Sequence, residues 1–230
     1  MSDSANESAG AARRGRPPRI NREGIVKAAR TLPLETVTMQ AVADVLGVDR
    51  KALSYHVSDL RGLRELVAFD VFESELSRVE LPTGGDWREV IRLYTRATRD
   101  AVIEVGALAM YVRLSGASGV RALEPIERVV QALVDAGFGV DESGRILALL
   151  TEVAYSTGRD TLKGGKSDAH PDTHDVARTL TGAPENEFPV LRALVGARQS
   201  ASTDDGQLEF DLAVIIAGLE RRLESIPPPG

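Results

Sequence analysis

Residues 37–57, VTMQAVADVLGVDRKALSYHV, decide the fold. The stretch predicts two short helices joined by a tight turn at Gly47. Glycine enters the left-handed backbone region without steric cost, which suits a sharp helix–helix corner. Thr38 and Asp49 stand where each helix needs a side-chain oxygen for its unpaired N–H groups. Val42, Leu46, Val48, Leu53 and Val57 form the inner apolar side. The second helix carries Arg50, Lys51, Ser54, Tyr55 and His56, side chains that can all meet nucleic acid. This is the pattern of a helix-turn-helix, whose second helix enters the DNA major groove.

Charge supports a basic head on an acidic body. Residues 1–66 hold eleven Lys/Arg and eight Asp/Glu, a net +3. Residues 67–230 hold 17 basic and 26 acidic residues, a net −9. The head attracts phosphate and the body repels it. No apolar run is long enough to cross a bilayer, and the N-terminus lacks the apolar core of a signal peptide, so a cytoplasmic protein is the simplest expectation. The chain has no cysteine, which excludes disulfides and thiolate chemistry.

Residues 1–12 are small and polar and are expected to be disordered. RRGRPPR, residues 13–19, follows as an extended basic arm. Arg14 and Arg16 have the slim, guanidinium-bearing shape that suits a narrow minor groove; a solvated tail is the plainer alternative. Asn21 caps a first helix over 22–32, closed by Pro33. Asp59 caps a long fourth helix over about 60–79, with Leu63, Leu66, Val67, Val71 and Leu76 on its apolar side. Further helices are predicted over 86–105, 107–115, 121–136, 142–162, 187–198 and 207–225. Residues 163–184, rich in Gly, Pro, Asp and His, read as a mobile loop. No hairpin signal occurs, so the fold class is all-α.

This order of elements, together with TMQAVADVLGV, LSYHV and the C-terminal LEFDLAVIIAGLERRL at 208–223, resembles the tetracycline-repressor (TetR) family of transcriptional regulators. The resemblance implies an arm at 1–20, a helix-turn-helix domain at 21–66, and a ligand-binding and dimerisation domain at 67–226. It implies a homodimer that presents two recognition helices to a pseudo-palindromic double-stranded DNA operator. It also implies a small-molecule effector whose binding shifts the spacing of the two heads and releases the operator.

Residue by residue, the resemblance makes Thr38 a phosphate contact as well as a cap, and Gln40 a base contact. Arg50 and Lys51 reach base edges or phosphate; an arginine can hold guanine through two parallel hydrogen bonds. Tyr55 and His56 meet or pack beside the backbone. Ser54 stands where the family has an aromatic. Leu60 stands where it has a phosphate-gripping lysine, a charge for which Arg61 is the nearby substitute.

The implied effector pocket draws its candidates from Phe69, Phe72, Tyr94, Tyr111, Arg113, Thr151 and Tyr155, each of which fits an apolar core or surface equally well. The tetracycline–magnesium site is not kept: Leu76 replaces the expected histidine, and no histidine occurs between 57 and 169. No cofactor and no metal is expected. The run Asp168, His170, Asp172, His174 and Asp175 is metal-capable only as a loose motif.

The long helix at 142–162 and the last helix are implied to form an intermolecular four-helix bundle. Leu149, Val153, Leu212, Ile215, Ile216, Leu219 and Leu223 are its candidates; an intramolecular core face has the same periodicity. Enzymatic readings find no support, since Gly164-Gly165-Lys166-Ser167 lacks both the earlier glycine and the strand of a phosphate loop. An architectural DNA binder is the remaining alternative, and the acidic body argues against it.

Overall fold

The computed structural model describes residues 20–113, 120, 122–164, 171–200 and 206–225. It contains ten α-helices and no strand among these residues. The head comprises α1 (Arg22–Ala29), α2 (Met39–Leu46), α3 (Arg50–Val57) and the start of α4 (Leu60–Leu76). The body adds α5 (Trp87–Val105), a 3-10 segment (Gly106–Tyr111), α6 (Leu123–Asp135), α7 (Val140–Gly164), α8 (Pro171–Leu180), α9 (Pro189–Ser200) and α10 (Gly206–Glu224).

The head is built from local signals. Asn21, Thr38, Asp49 and Asp59 each accept a backbone N–H at the start of their helix. Each such cap contributes roughly 1 kcal/mol. Gly47 ends α2 in the left-handed region, with φ 65° and ψ 34°. Ile25, Val37, Val42, Leu53 and Leu63 are fully buried between the helices. Burying a side chain of this size contributes about 1.5–3 kcal/mol.

This core does not stop at the head. It continues along α4 through Val67, Val71 and Phe72 to Ala97, Val102 and Val105 of α5 and to Leu108 of the 3-10 segment. The helix α4 therefore straddles the boundary expected at residue 66. The 3-10 segment packs against both α4 and the turn at Leu34–Thr36, so the body touches the head directly.

A second core fills the distal half. Trp87 meets Phe138 edge-on, with ring centroids 5.8 Å apart. Ile91, Leu133, Leu150, Leu208 and Leu212 complete it. Ion pairs fasten α10 from outside: Arg88 to Glu220 at 2.6 Å, Arg96 to Glu209 at 2.7 Å, and Arg222 to Glu142.

One sequence expectation is corrected here. Residues 163–184 do not form one continuous loop, because α8 runs from Pro171 to Leu180. Pro171 sits at the first helical position, where a missing N–H costs nothing. Leu212, Ile216 and Leu219 are buried in the chain's own core against α5 and α7. This is the core face that their periodicity equally allows.

Candidate nucleic-acid interface and effector site

The outward side of α3 carries the polar residues that its sequence predicts. Arg50, Lys51 and Ser54 are exposed, and the Tyr55 ring is 81% exposed. Leu53 and Val57 hold the opposite side in the core. The Ser54 hydroxyl donates to the Arg50 carbonyl oxygen at 3.2 Å, which folds it onto its own helix. Asp49 caps α3 by accepting from the Lys51 N–H at 2.7 Å.

On α2, Thr38 accepts from the Ala41 N–H at 3.1 Å, and Gln40 donates to Asp44 at 2.7 Å. Both side chains are exposed beside α3. His56 lines a groove with Arg22, Ser58, Phe69 and Arg113. Arg61, at the start of α4, pairs with Glu65 at 2.9 Å. Arg14 and Arg16 lie outside the described residues.

The corner between α3 and α4 is tight. Ser58 adopts φ 55°, unusual for a residue with a side chain. Gly62 lies so near the Val57 carbonyl oxygen that a Cβ there would stand 2.5 Å from it. Nothing in local sequence patterning signals that contact.

In the body, four of the seven effector-site candidates converge. The Thr151 hydroxyl donates to the Leu147 carbonyl oxygen at 2.8 Å, so the Tyr94 hydroxyl, 3.2 Å away, donates to Thr151. The Phe72 and Tyr155 rings stand 6.1 Å apart and tilted. Burial, reinforced by neighbouring Tyr94, pushes the Tyr155 phenol up to about 12, with Arg113 pulling it back. Thr98, one turn from Tyr94 on α5, is fully buried and its hydroxyl has no hydrogen-bond partner among the described residues. Sequence reading missed Thr98, because only the packing of α5 reveals its isolation.

The other three candidates lie toward the head. Phe69 lines the groove beside His56. Tyr111 accepts from Arg64 at 3.2 Å, beneath the Arg64 guanidinium. Arg113 is exposed and donates to the Met110 and Val112 carbonyl oxygens. Asp168 and His170 of the loose metal-capable run lie outside the described residues.

The outer side of the body carries an apolar groove of about 660 Å³ between α7, α8, α9 and α10. Leu149, Leu191, Leu194, Phe210 and Val214 line it and remain exposed by 43–64%. Val153 and Ile215 line it as well; Leu223 is half-buried against the distal core. Phe210, Val214, Leu191 and Leu194 were not among the residues expected at an interface. On α10 the spacing of Phe210 and Val214 is legible, but the inward stripe of Leu212, Ile216 and Leu219 dominates the pattern.

Comparison with known proteins agrees with this architecture. The family description "Tetracyclin repressor-like, C-terminal domain" matches residues 81–223. The chain is 27% identical over 189 residues to the tetracycline repressor protein class A from transposon 1721 of Escherichia coli, covering 82% of this chain and 83% of that protein. It is 26% identical over 216 residues to the Escherichia coli class D repressor, covering 90% and 93%. Among solved structures, apo ActR from Streptomyces coelicolor superposes with a TM-score of 0.70 at 23% identity, covering 90% of this chain and 98% of ActR. ActR in complex with actinorhodin gives the same TM-score and identity. The matched domain spans more than half of the sequence and the fold agrees throughout, so the chain belongs to the tetracycline-repressor family of transcriptional regulators.

Proposed function

We propose that this regulator is a homodimeric repressor that reads a pseudo-palindromic operator with paired α3 helices and releases it when a small molecule occupies the body. The observation that carries the reading is the division of α3: an outward row of Arg50, Lys51, Ser54 and Tyr55, and an inward row of Leu53 and Val57. A helix held by one side with an exposed basic first turn is built to be inserted. The relevant test is a gel-shift titration against the chain's own upstream DNA and against random DNA. A preference for upstream DNA that Arg50→Ala reduces supports the reading. Equal affinity for both duplexes overturns it in favour of nonspecific binding.

Pairing of two chains is supported by the apolar groove between α7 and α10. Exposed apolar area of this extent on one face is costly in water and marks an interaction surface. Phe210→Glu combined with Val214→Glu is expected to convert dimer to monomer in sedimentation equilibrium. An unchanged dimer would rule the groove out as the interface.

Effector binding is supported by Phe72, Tyr94, Thr98, Thr151 and Tyr155. A buried hydroxyl without a partner costs about 1–3 kcal/mol, which a ligand acceptor or donor at Thr98 would recover. An apolar cluster with a few polar anchors has the composition that suits small organic ligands. The ligand acts by favouring the body geometry that does not fit DNA, and a tenfold loss of affinity needs about 1.4 kcal/mol. The continuous core from Val105 and Leu108 to α4 supplies the mechanical link.

A further inference from the structure

Just beyond the recognition helix, the start of α4 and the exit of the 3-10 segment present a basic surface. A basin of about 500 Å³ is lined by Leu60, Arg61 and Arg64 of α4 and by Met110, Tyr111 and Arg113 from the 3-10 segment and its exit. Three guanidinium groups thus share one depression. Arg61 pairs with Glu65. Neither Arg64 nor Arg113 has a carboxylate partner among the described residues; Arg64 reaches the Tyr111 hydroxyl, and Arg113 reaches only backbone carbonyls. The Arg64 guanidinium is stacked 5.6 Å from the Tyr111 ring centroid, which holds it in place and shields one face.

The position of the basin matters as much as its charge. Arg113 also lines the groove that holds His56 and Ser58, at the end of α3. Arg113 therefore belongs both to the basin and to the groove at the end of the recognition helix, a groove that Glu65 also lines. The carboxylates nearby are Asp59, committed to the Gly62 N–H, and Glu65, committed to Arg61. Two cations remain in excess, in a chain that is −9 over residues 67–230. An arginine fixed without a counter-charge in an acidic protein is arranged for an external anion, and guanidinium geometry matches phosphate oxygens.

From this geometry we infer that Arg64 and Arg113 bind the phosphate backbone of the DNA, so that the effector-binding body holds the duplex directly beside α3. The inference rests on the DNA-binding reading above. It adds a body residue, Arg113, to the interface. The charge of Arg113 also acts against the raised pKa of Tyr155.

The test is the salt dependence of operator binding by the full chain. Each phosphate neutralised contributes about 0.9 to the slope of log affinity against log salt. Arg113→Ala is expected to make the slope shallower by about 0.9, and Arg113→Lys to restore it. Arg64→Ala is expected to act likewise; because it also frees Tyr111, its thermal melt is compared with wild type, and Arg113 carries the test should that fold suffer. Arg145→Ala, on the distal part of α7 and paired with Asp141, is expected to leave the slope unchanged. An unaltered slope in folded Arg113→Ala overturns the inference while leaving the DNA-binding reading intact. Failure of the wild type to prefer any duplex overturns that reading instead. Calorimetric titration with inorganic phosphate separates the sources: phosphate binding lost in Arg113→Ala with no change in the DNA slope would assign the basin to a free anion and contradict the backbone contact.

Discussion

Gly158 on α7 meets Val102 on α5 at a distance that leaves no room for a side chain. A Cβ on Gly158 would lie 2.8 Å from Val102 Cγ1 and 3.1 Å from the Arg99 carbonyl oxygen. The two longest-packed helices of the body cross at this point, one turn beyond Tyr155. Tyr94 and Thr151 bridge the same pair of helices, so this contact sets the spacing of the proposed effector site.

Gly158→Ala is therefore expected to destabilise the chain by about 1–3 kcal/mol through overpacking. Val102→Ala in the same chain is expected to recover part of that loss, since it removes the nearest atom, Cγ1, and leaves Cβ at 3.0 Å and the Arg99 carbonyl oxygen at 3.1 Å. Urea unfolding of the two single variants and the double variant measures it. Additive losses would show that the two residues do not oppose each other.

At the other end, Gly62 sets the corner between α3 and α4. Gly62→Ala brings a methyl within 2.5 Å of the Val57 carbonyl oxygen, and backbone cannot yield as a side chain does. The expected result is loss of at least tenfold in operator affinity, with far-ultraviolet helicity nearly retained. Unchanged affinity would show that the corner adjusts without moving α3.

Arg192 closes the connection between α8 and α9. Its guanidinium donates to the carbonyl oxygens of Leu180, Ala183 and Pro184, each at 3.0 Å, and to that of Glu187 at 2.9 Å. The Leu180 and Pro184 carbonyls also accept the Ala183 and Glu187 N–H groups, so Arg192 adds a second donor to each at the end of α8. Arg192→Ala is expected to raise the rate of limited proteolysis within 181–188 by about tenfold, a local loss of about 1.4 kcal/mol. Equal cleavage rates would mean that the connection is held by other contacts.

Tyr155 gives a pH signature. Its phenol is held neutral up to about 12 by burial in the folded chain, against 10.0 ordinarily. A raised pKa means that the folded chain favours the protonated form. That contribution is fully present below pH 10 and is lost as pH rises toward 12. Wild type is expected to lose stability across that window more steeply than Tyr155→Phe. Parallel stability curves would contradict the buried placement of the hydroxyl.

The head was legible in the sequence because its determinants are local. Asn21, Thr38, Asp49 and Asp59 cap within three residues, and Gly47 turns by its own conformational freedom. The body was legible only in outline. On α10, an inward stripe at Leu212, Ile216 and Leu219 lies beside an outward one at Phe210 and Val214, and periodicity does not say which side a core will cover. The helix α8 was hidden by its Gly- and Pro-rich surroundings, although Pro171 is a permitted starting residue. Gly62 and Gly158 were invisible because their constraint comes from atoms on other elements.

The account rests on two copies of α3 reading one duplex. Selection of bound DNA from a random pool, with the mass of the resulting complex measured, tests it most directly. The expected result is a two-fold symmetric motif bound by an even number of chains, at least two per duplex. Recovery of unrelated sequences, or a single chain bound to an asymmetric site, would contradict it.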